Sequence, residues 1–254
     1  MTHQSPKTNS QQSPSDISSS KSNHISTYNP QQYWTEQGKT YKEQFRYNKD
    51  FRLQEQMLID YLKRIFPLSS SLTVLELGCG FGRITKLLLL NFPNIKEYLA
   101  VDLSQHQIEN AKEYVRPQEI IIKKKEEKAN PDIKFLVSDI QSLQVDKKYD
   151  LVIASEVLMH VLPSEINEVI CKLVNLSNKH IVNIDWYKKQ IPKRVAQHNF
   201  IHNYEEIYEK QITLVNRIPI EKKKGRLSLS SKIDAKQPYF MLLNDFDMSN
   251  YFNI

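Results

Sequence analysis

Four side chains have the types and spacing for acid–base or metal chemistry: Glu156 and His160, four residues apart, and His198 and His202, again four apart. A neutral imidazole accepts protons near physiological pH. If both segments are helical, each pair turns to one helix face and together they offer up to four ligands for a divalent cation. A second chemistry-bearing feature is a run of glycines. Gly78, Gly80 and Gly82 stand within Val74-Leu75-Glu76-Leu77-Gly78-Cys79-Gly80-Phe81-Gly82-Arg83 and are three of only five glycines in 254 residues. Glycine concentrated where it is otherwise scarce marks a backbone that needs positive φ or lies close to a bound molecule. About 20 residues on, the apolar stretch Tyr98-Leu99-Ala100-Val101 ends in Asp102, the place where a βαβ nucleotide fold sets a carboxylate against ribose hydroxyls.

These groups need a scaffold, and the hydrophobic periodicity supplies one. Residues 31–66 read as helical, with an apolar stripe of Phe51, Met57, Leu58, Tyr61, Leu62 and Ile65 that Pro67 ends. A strand is expected over 73–77, a helix over 84–92, a strand over 98–101, and a helix over 104–115 opened by a Ser104/Gln107 capping box. Further strands are expected over 133–137, 149–154 and 180–185, with a helix over 164–176 before the last of these. Strands that alternate with helices require a mostly parallel sheet with right-handed crossovers. Residues 212–218 and 239–243 are two more strand candidates, joined without a helix and readable as an antiparallel hairpin.

The string Glu76-x-Gly78-x-Gly80-x-Gly82 followed by Asp102 resembles the cofactor site of the class I, Rossmann-like S-adenosylmethionine-dependent methyltransferases. A dinucleotide fingerprint fits less well: its third glycine would fall where Arg83 stands. The resemblance implies an α/β three-layer sandwich with a mostly parallel seven-stranded sheet whose last strand is antiparallel. It implies S-adenosylmethionine as cofactor, with Glu76 supporting the glycine turn, Gly78, Cys79 and Gly80 passing close to it, Asp102 on the ribose hydroxyls and Leu103 beside the adenine. Asp139 matches the acidic residue that takes the adenine amino group, with the Ile140 backbone N–H reaching the ring; a turn or helix-cap aspartate is the alternative. Tyr33 and Trp34 resemble an N-terminal pair that covers the cofactor, or else form a helix-packing aromatic pair.

In this resemblance the end of the fourth strand selects the chemistry, and here it reads Ser155-Glu156-Val157-Leu158-Met159-His160-Val161. Motifs for amide or exocyclic-amine nitrogen and for cytosine C5 are missing. What remains is similar to members that methylate oxygen or small molecules, with Glu156 at the cofactor and His160, His198 and His202 around the acceptor. The small-RNA 2′-O-methyltransferases carry a related metal-binding pattern, but Met159 replaces its second glutamate. No metal is therefore expected. The expected function is methyl transfer to oxygen or nitrogen of a small molecule; a metal-assisted RNA 2′-O-methyltransferase and a non-catalytic binding module are the alternatives.

Composition sets the outer bounds. Thirty-five basic against 29 acidic residues give a formal charge of +6, a mild bias toward anionic partners such as RNA. Two cysteines far apart read as reduced thiols. No run of 18 apolar residues and no hydrophobic leader is present, so a cytoplasmic protein without membrane association is expected. Residues 1–28 are rich in Ser, Gln and Asn and read as a disordered tail. Residues 29–254 read as one catalytic domain with a helical cap over 29–68 and charged loops over 117–131 and 221–237. The oligomeric state is left open.

Overall fold

The structure, a computed structural model, describes residues 28–45, 49–126, 131–185, 197–211, 220–223, 226–229 and 240–242. Residues 1–27 of the expected N-terminal tail and the strand candidate at 212–218 lie outside these residues, while Tyr28, expected in the tail, is described. Three helices come first: α1 (Pro30–Gln37), α2 (Tyr41–Phe45) and α3 (Lys49–Ile65). Asn29 caps α1 by accepting from the Gln32 N–H, and Pro30 sits in the first turn, where its missing N–H costs nothing. Then come β1 (Leu72–Leu77), α4 (Arg83–Asn91), β2 (Ile95–Asp102), α5 (Gln105–Val115), α6 (Pro117–Glu126), β3 (Asp132–Val137) and β4 (Tyr149–Ser155). A short 3₁₀ turn, Leu158–His160, leads to α7 (Ile166–Leu176), β5 (Ser177–Ile184) and α8 (Tyr204–Glu209). Short strands β6 (Ile220–Lys223), β7 (Arg226–Leu229) and β8 (Phe240–Leu242) complete the described elements. No helix among the described residues is long and apolar enough to cross a membrane.

Five parallel strands in the order β3-β2-β1-β4-β5 make the body of an α/β, Rossmann-like sheet, and β8 adds beside β5. Side chains alternate across the sheet because the strand period is two. On one face Leu72, Val74, Tyr98, Leu151 and Val182 pack against α3, α4 and α5 residues such as Leu58, Leu62, Leu88 and Ile108. On the other, Leu75, Leu77, Val152 and Ile181 pack against Ile170, Leu173 and Tyr208 from α7 and α8. The chain runs outward from β1 through β2 to β3, then returns to place β4 on the other side of β1. That reversal opens a crevice beyond the carboxyl ends of β1 and β4, where ligands bind in open α/β sheets.

Three expectations differ from what is observed. The described sheet has six strands, and β8 pairs parallel to β5 through Ile181 with Phe240 and Asn183 with Leu242, so an antiparallel seventh strand is not what these residues form. Of the basic segment 221–237 that was read as a loop, 221–223 and 226–229 belong instead to an antiparallel ribbon of β6 and β7, paired from Ile220–Leu229 to Lys223–Arg226, and the rest lies outside the described residues. The charged segment 117–131 begins as helix α6. Pro117 preorganises its first turn and Ile120, 5% exposed, anchors it to the core, so apolar packing outweighs the charge of the run.

Candidate active site

The turn after β1 is built by left-handed backbone at Gly78 (φ 69°), Gly80 and Gly82 (φ 83°). A Cβ on Gly78 would stand 2.9 Å from Val157 Cγ1 and closer still to Cγ2, so this position admits only hydrogen. Gly82 brings the start of α4 against α5, where a Cβ would stand 2.6 Å from Val115 Cγ2. Beneath the turn lies Glu76, 2% exposed, whose Oε2 accepts from Thr85 Oγ1 at 2.5 Å and Tyr98 OH at 2.6 Å. Burial pushes its carboxyl up to about 7, against the pull of those two hydroxyls. Glu76 therefore braces β1, β2 and α4 under the turn and does not line the cleft.

Asp102 ends β2 at the lip. Its Oδ2 accepts the Gly80 N–H at 2.8 Å and its Oδ1 the Ser104 N–H at 2.9 Å, fixing both oxygens while leaving a lone pair on each. Burial raises its pKa to about 6, opposed by those backbone donors. The Ser104 hydroxyl in turn caps α5 through the Gln107 N–H.

A cleft, open at its mouth, runs from this lip across the ends of β1, β3 and β4. Of the expected residues, Gly78, Gly80, Asp102, Leu103, Asp139, Ile140, Glu156 and His160 line it. Cys79 is buried in the core beneath the turn, with burial pushing its thiol well up, and is not in the lining. Asp139 lines the cleft, and it closes a turn by accepting from the Ser142 N–H at 2.7 Å and Ser142 Oγ at 2.6 Å. Those bonds hold its pKa below the ordinary value although burial pushes the other way.

Glu156 sits in left-handed backbone, φ 57°, a conformation that costs a non-glycine residue on the order of 1–2 kcal/mol. Gln54 Nε2 donates to its Oε1 at 3.2 Å, while Gln54 Oε1 accepts from Arg83 at 3.1 Å. Arg83 also pairs with Glu55 at 3.1 Å, so the guanidinium ties α3 to the glycine turn and to the strained carboxylate. Burial raises the Glu156 pKa, and the Arg83 charge opposes it.

The histidines divide into different roles. His160 lines the cleft; its Nδ1 lies 2.8 Å from the His198 carbonyl and must therefore carry the proton, leaving Nε2 as an acceptor. Burial lowers its pKa to about 4, so it does not titrate near neutrality as its exposed counterpart would. The His198 ring lies outside the lining, stacked on Tyr33 at 4.5 Å, and Tyr33 packs edge-on to Trp34. His202 is buried and donates through Nε2 to the Val161 carbonyl at 3.0 Å. Residues 197–203 are not helical, and Glu156 precedes a single 3₁₀ turn. The i, i+4 pairs thus never share a helix face, and no group of three His, Cys, Asp or Glu suited to a metal ion occurs among the described residues.

Sequence reasoning named Trp34 in the Tyr33 and Trp34 pair but missed several other cleft residues. Trp34 lies 4.4 Å from the His160 ring, its Nε1 donates to Tyr28 OH, and Tyr28 OH donates to the His160 carbonyl, each at 3.2 Å. Tyr41, Gln107, Gln141, Ser155 and Glu165 also line the cleft, with Pro30, Ser138, Val157 and Val161. Gln107 Oε1 and Ser155 Oγ are buried there without a hydrogen-bond partner in the protein, which buried polar atoms rarely tolerate. Both fit a site that receives a polar ligand. Only the Ser104/Gln107 capping spacing drew attention to Gln107; the other residues carry no local signal.

A family model described as a methyltransferase domain matches residues 68–236. The ubiquinone biosynthesis O-methyltransferase of Rickettsia prowazekii is 28% identical over 213 residues, 77% of this chain and 75% of that protein. A malonyl-acyl-carrier-protein O-methyltransferase of Ilyobacter polytropus is 33% identical over 82 residues, 32% of this chain but only 26% of that protein. The chain thus spans about a quarter of the length of one such relative and three quarters of the other. Among solved structures, the magnesium protoporphyrin IX methyltransferase of Synechocystis, determined with bound SAM, has a TM-score of 0.57 at 17% identity, covering 80% of this chain and 96% of that one.

Proposed function

The chain belongs to the class I S-adenosylmethionine-dependent methyltransferases, and from that premise we propose that it transfers a methyl group from S-adenosylmethionine to an oxygen or nitrogen atom of a small molecule. The observation that carries this reading is Asp102 at the cleft lip, held by the Gly80 and Ser104 N–H groups with one lone pair free on each oxygen. When bound, the cofactor supplies a methyl group already activated by its sulfonium charge. Asp102 accepts the ribose hydroxyls, Leu103, Asp139 and Ile140 flank the adenine, and Gly78, Gly80 and Glu156 face the methionine end. Trp34, Tyr41 and His160 wall the acceptor side and keep water from it. His160, neutral with Nδ1–H engaged, offers Nε2 to orient the acceptor or take its proton. The two curated relatives named above, both O-methyltransferases by name, support oxygen as one target.

The test has two halves. Calorimetry with S-adenosylmethionine is expected to show one saturable site, and absence of binding rejects the reading. Incubation of the protein with cell extract and methyl-labelled cofactor is expected to place label in the metabolite fraction. Label in RNA alone would replace the small-molecule acceptor, and nucleic-acid binding that is steeply salt-dependent and indifferent to the cofactor would favour a non-catalytic module.

A further inference from the structure

The 3₁₀ turn that carries His160 is only three residues long and has little strength of its own. Its polar groups are nonetheless almost all engaged from elsewhere in the fold. The Glu156 N–H donates to the Ile184 carbonyl at 2.6 Å, and the Met159 carbonyl accepts from the Phe200 N–H at 2.7 Å. At the base, Asp185, fully buried just past the end of β5, accepts from the Leu158 N–H at 3.3 Å through one oxygen and from the Met159 N–H at 3.2 Å through the other. It caps this turn as an N-cap aspartate caps a helix, but from a different strand. Burial pushes the Asp185 carboxyl well above its ordinary pKa, the Met159 and Leu158 N–H groups oppose that and the Glu156 charge adds to it, so the fold keeps this group at a cost in stability. On the far side His202 closes the turn through the Val161 carbonyl.

We infer that Asp185 is a positioning residue, seconded by His202: it sets the turn that holds the His160 imidazole against Trp34 and the His198 carbonyl, without itself touching cofactor or acceptor. The inference rests on the reading of His160 as part of the acceptor wall. Asp185 does not line the cleft, whereas His160 does. Replacing one Asp185 oxygen by an amide would set a donor against a backbone N–H and release one end of the turn. His160 would then lose its bond to the His198 carbonyl and gain water.

The test reads His160 directly. In protein labelled with ¹⁵N-histidine, with the signal assigned through His160→Gln, wild-type His160 is expected to stay neutral until the pH falls to about 4. In Asp185→Asn its midpoint should rise by about one pH unit or more toward the exposed value, while S-adenosylmethionine affinity changes less than about threefold, roughly 0.6 kcal/mol. His202→Gln, which keeps a side-chain N–H for the Val161 carbonyl, is expected to retain the wild-type titration, and His202→Leu to shift it as Asp185→Asn does. An unchanged His160 midpoint in both Asp185→Asn and His202→Leu overturns the inference, as does an equal shift in His202→Gln and His202→Leu. Failure of wild-type protein to bind the cofactor would instead strike the functional reading and leave the titration result standing. Should Asp185→Asn not fold, the two His202 variants decide alone.

Discussion

Asp102 offers the most demanding test, because its geometry predicts both the size and the pH dependence of cofactor binding. Each oxygen is aimed by one backbone N–H and has a lone pair left for one ribose hydroxyl. Hydrogen bonds to a charged acceptor contribute about 1.5–3 kcal/mol each. Water competes at the cleft lip, so the low end applies, and two such bonds give about 3 kcal/mol, or roughly a hundredfold in Kd. Asp102→Ala should weaken binding by that factor. The carboxyl has a pKa of about 6 because it is buried. From pH 7 to pH 5 its ionised fraction falls from about nine-tenths to about one-tenth, so affinity should drop about tenfold. The sign is fixed: only the carboxylate accepts from both hydroxyls, so acid weakens binding. Asp102→Asn carries no charge to lose, and its affinity, lower throughout, should be nearly flat over the same range. Glu76 titrates nearby at about 7 and is raised in part by the Asp102 charge, so both proteins are compared in a Glu76→Gln background, where the difference between the two pH profiles isolates Asp102. Calorimetry across this range is the assay. A tenfold loss that persists in Asp102→Asn, or an Asp102→Ala protein that binds within threefold of wild type, refutes the argument.

Three further outcomes follow from the same geometry. Glu76 keeps its proton to about pH 7 in the native state but loses it near 4.5 when unfolded, so its contribution to stability falls as pH rises between those values, by about 1.4 kcal/mol per unit and at most about 3 kcal/mol. Glu76→Gln should therefore gain on wild type by about that amount across this window in urea denaturation, and a constant difference would contradict the assignment. Gly78→Ala combines left-handed backbone with a clash against Val157 and should cost about 2–4 kcal/mol in the same assay; a loss below about 1 kcal/mol would show that the turn yields easily. Arg116 ends α5 at φ 56° and, among the described residues, pairs with the exposed Glu119. Arg116→Gly should raise Tm by about 1–4 °C through relief of strain, and a fall in Tm would place the value of that pair above the strain.

How much could be read in advance depended on whether the cause was local. The order of strands and helices from 72 to 184 was legible because each element buries one face and so writes its period into the chain. The 117–126 helix was not, because a single buried residue, Ile120, holds down a run dominated by charge. The Ser104 cap on α5 was legible from a four-residue spacing, whereas Gln54, which reaches Glu156 from 102 positions away, left no trace in the local pattern.

By itself the sequence determined the glycine turn, the carboxylate at the end of β2 and the alternation that forces a parallel sheet, since turn chemistry and hydrophobic period act between near neighbours. Tertiary structure alone decided what the remaining side chains do. Glu76 and Cys79 sit in or beside the turn motif yet point into the interior, because strand alternation and core packing turn them from the cleft. The histidines share a spacing but not a role: one faces the cleft, one stacks on Tyr33, and one clamps a backbone carbonyl. A side chain's protonation and its partners depend on distances across the fold, and residue type and spacing do not encode those.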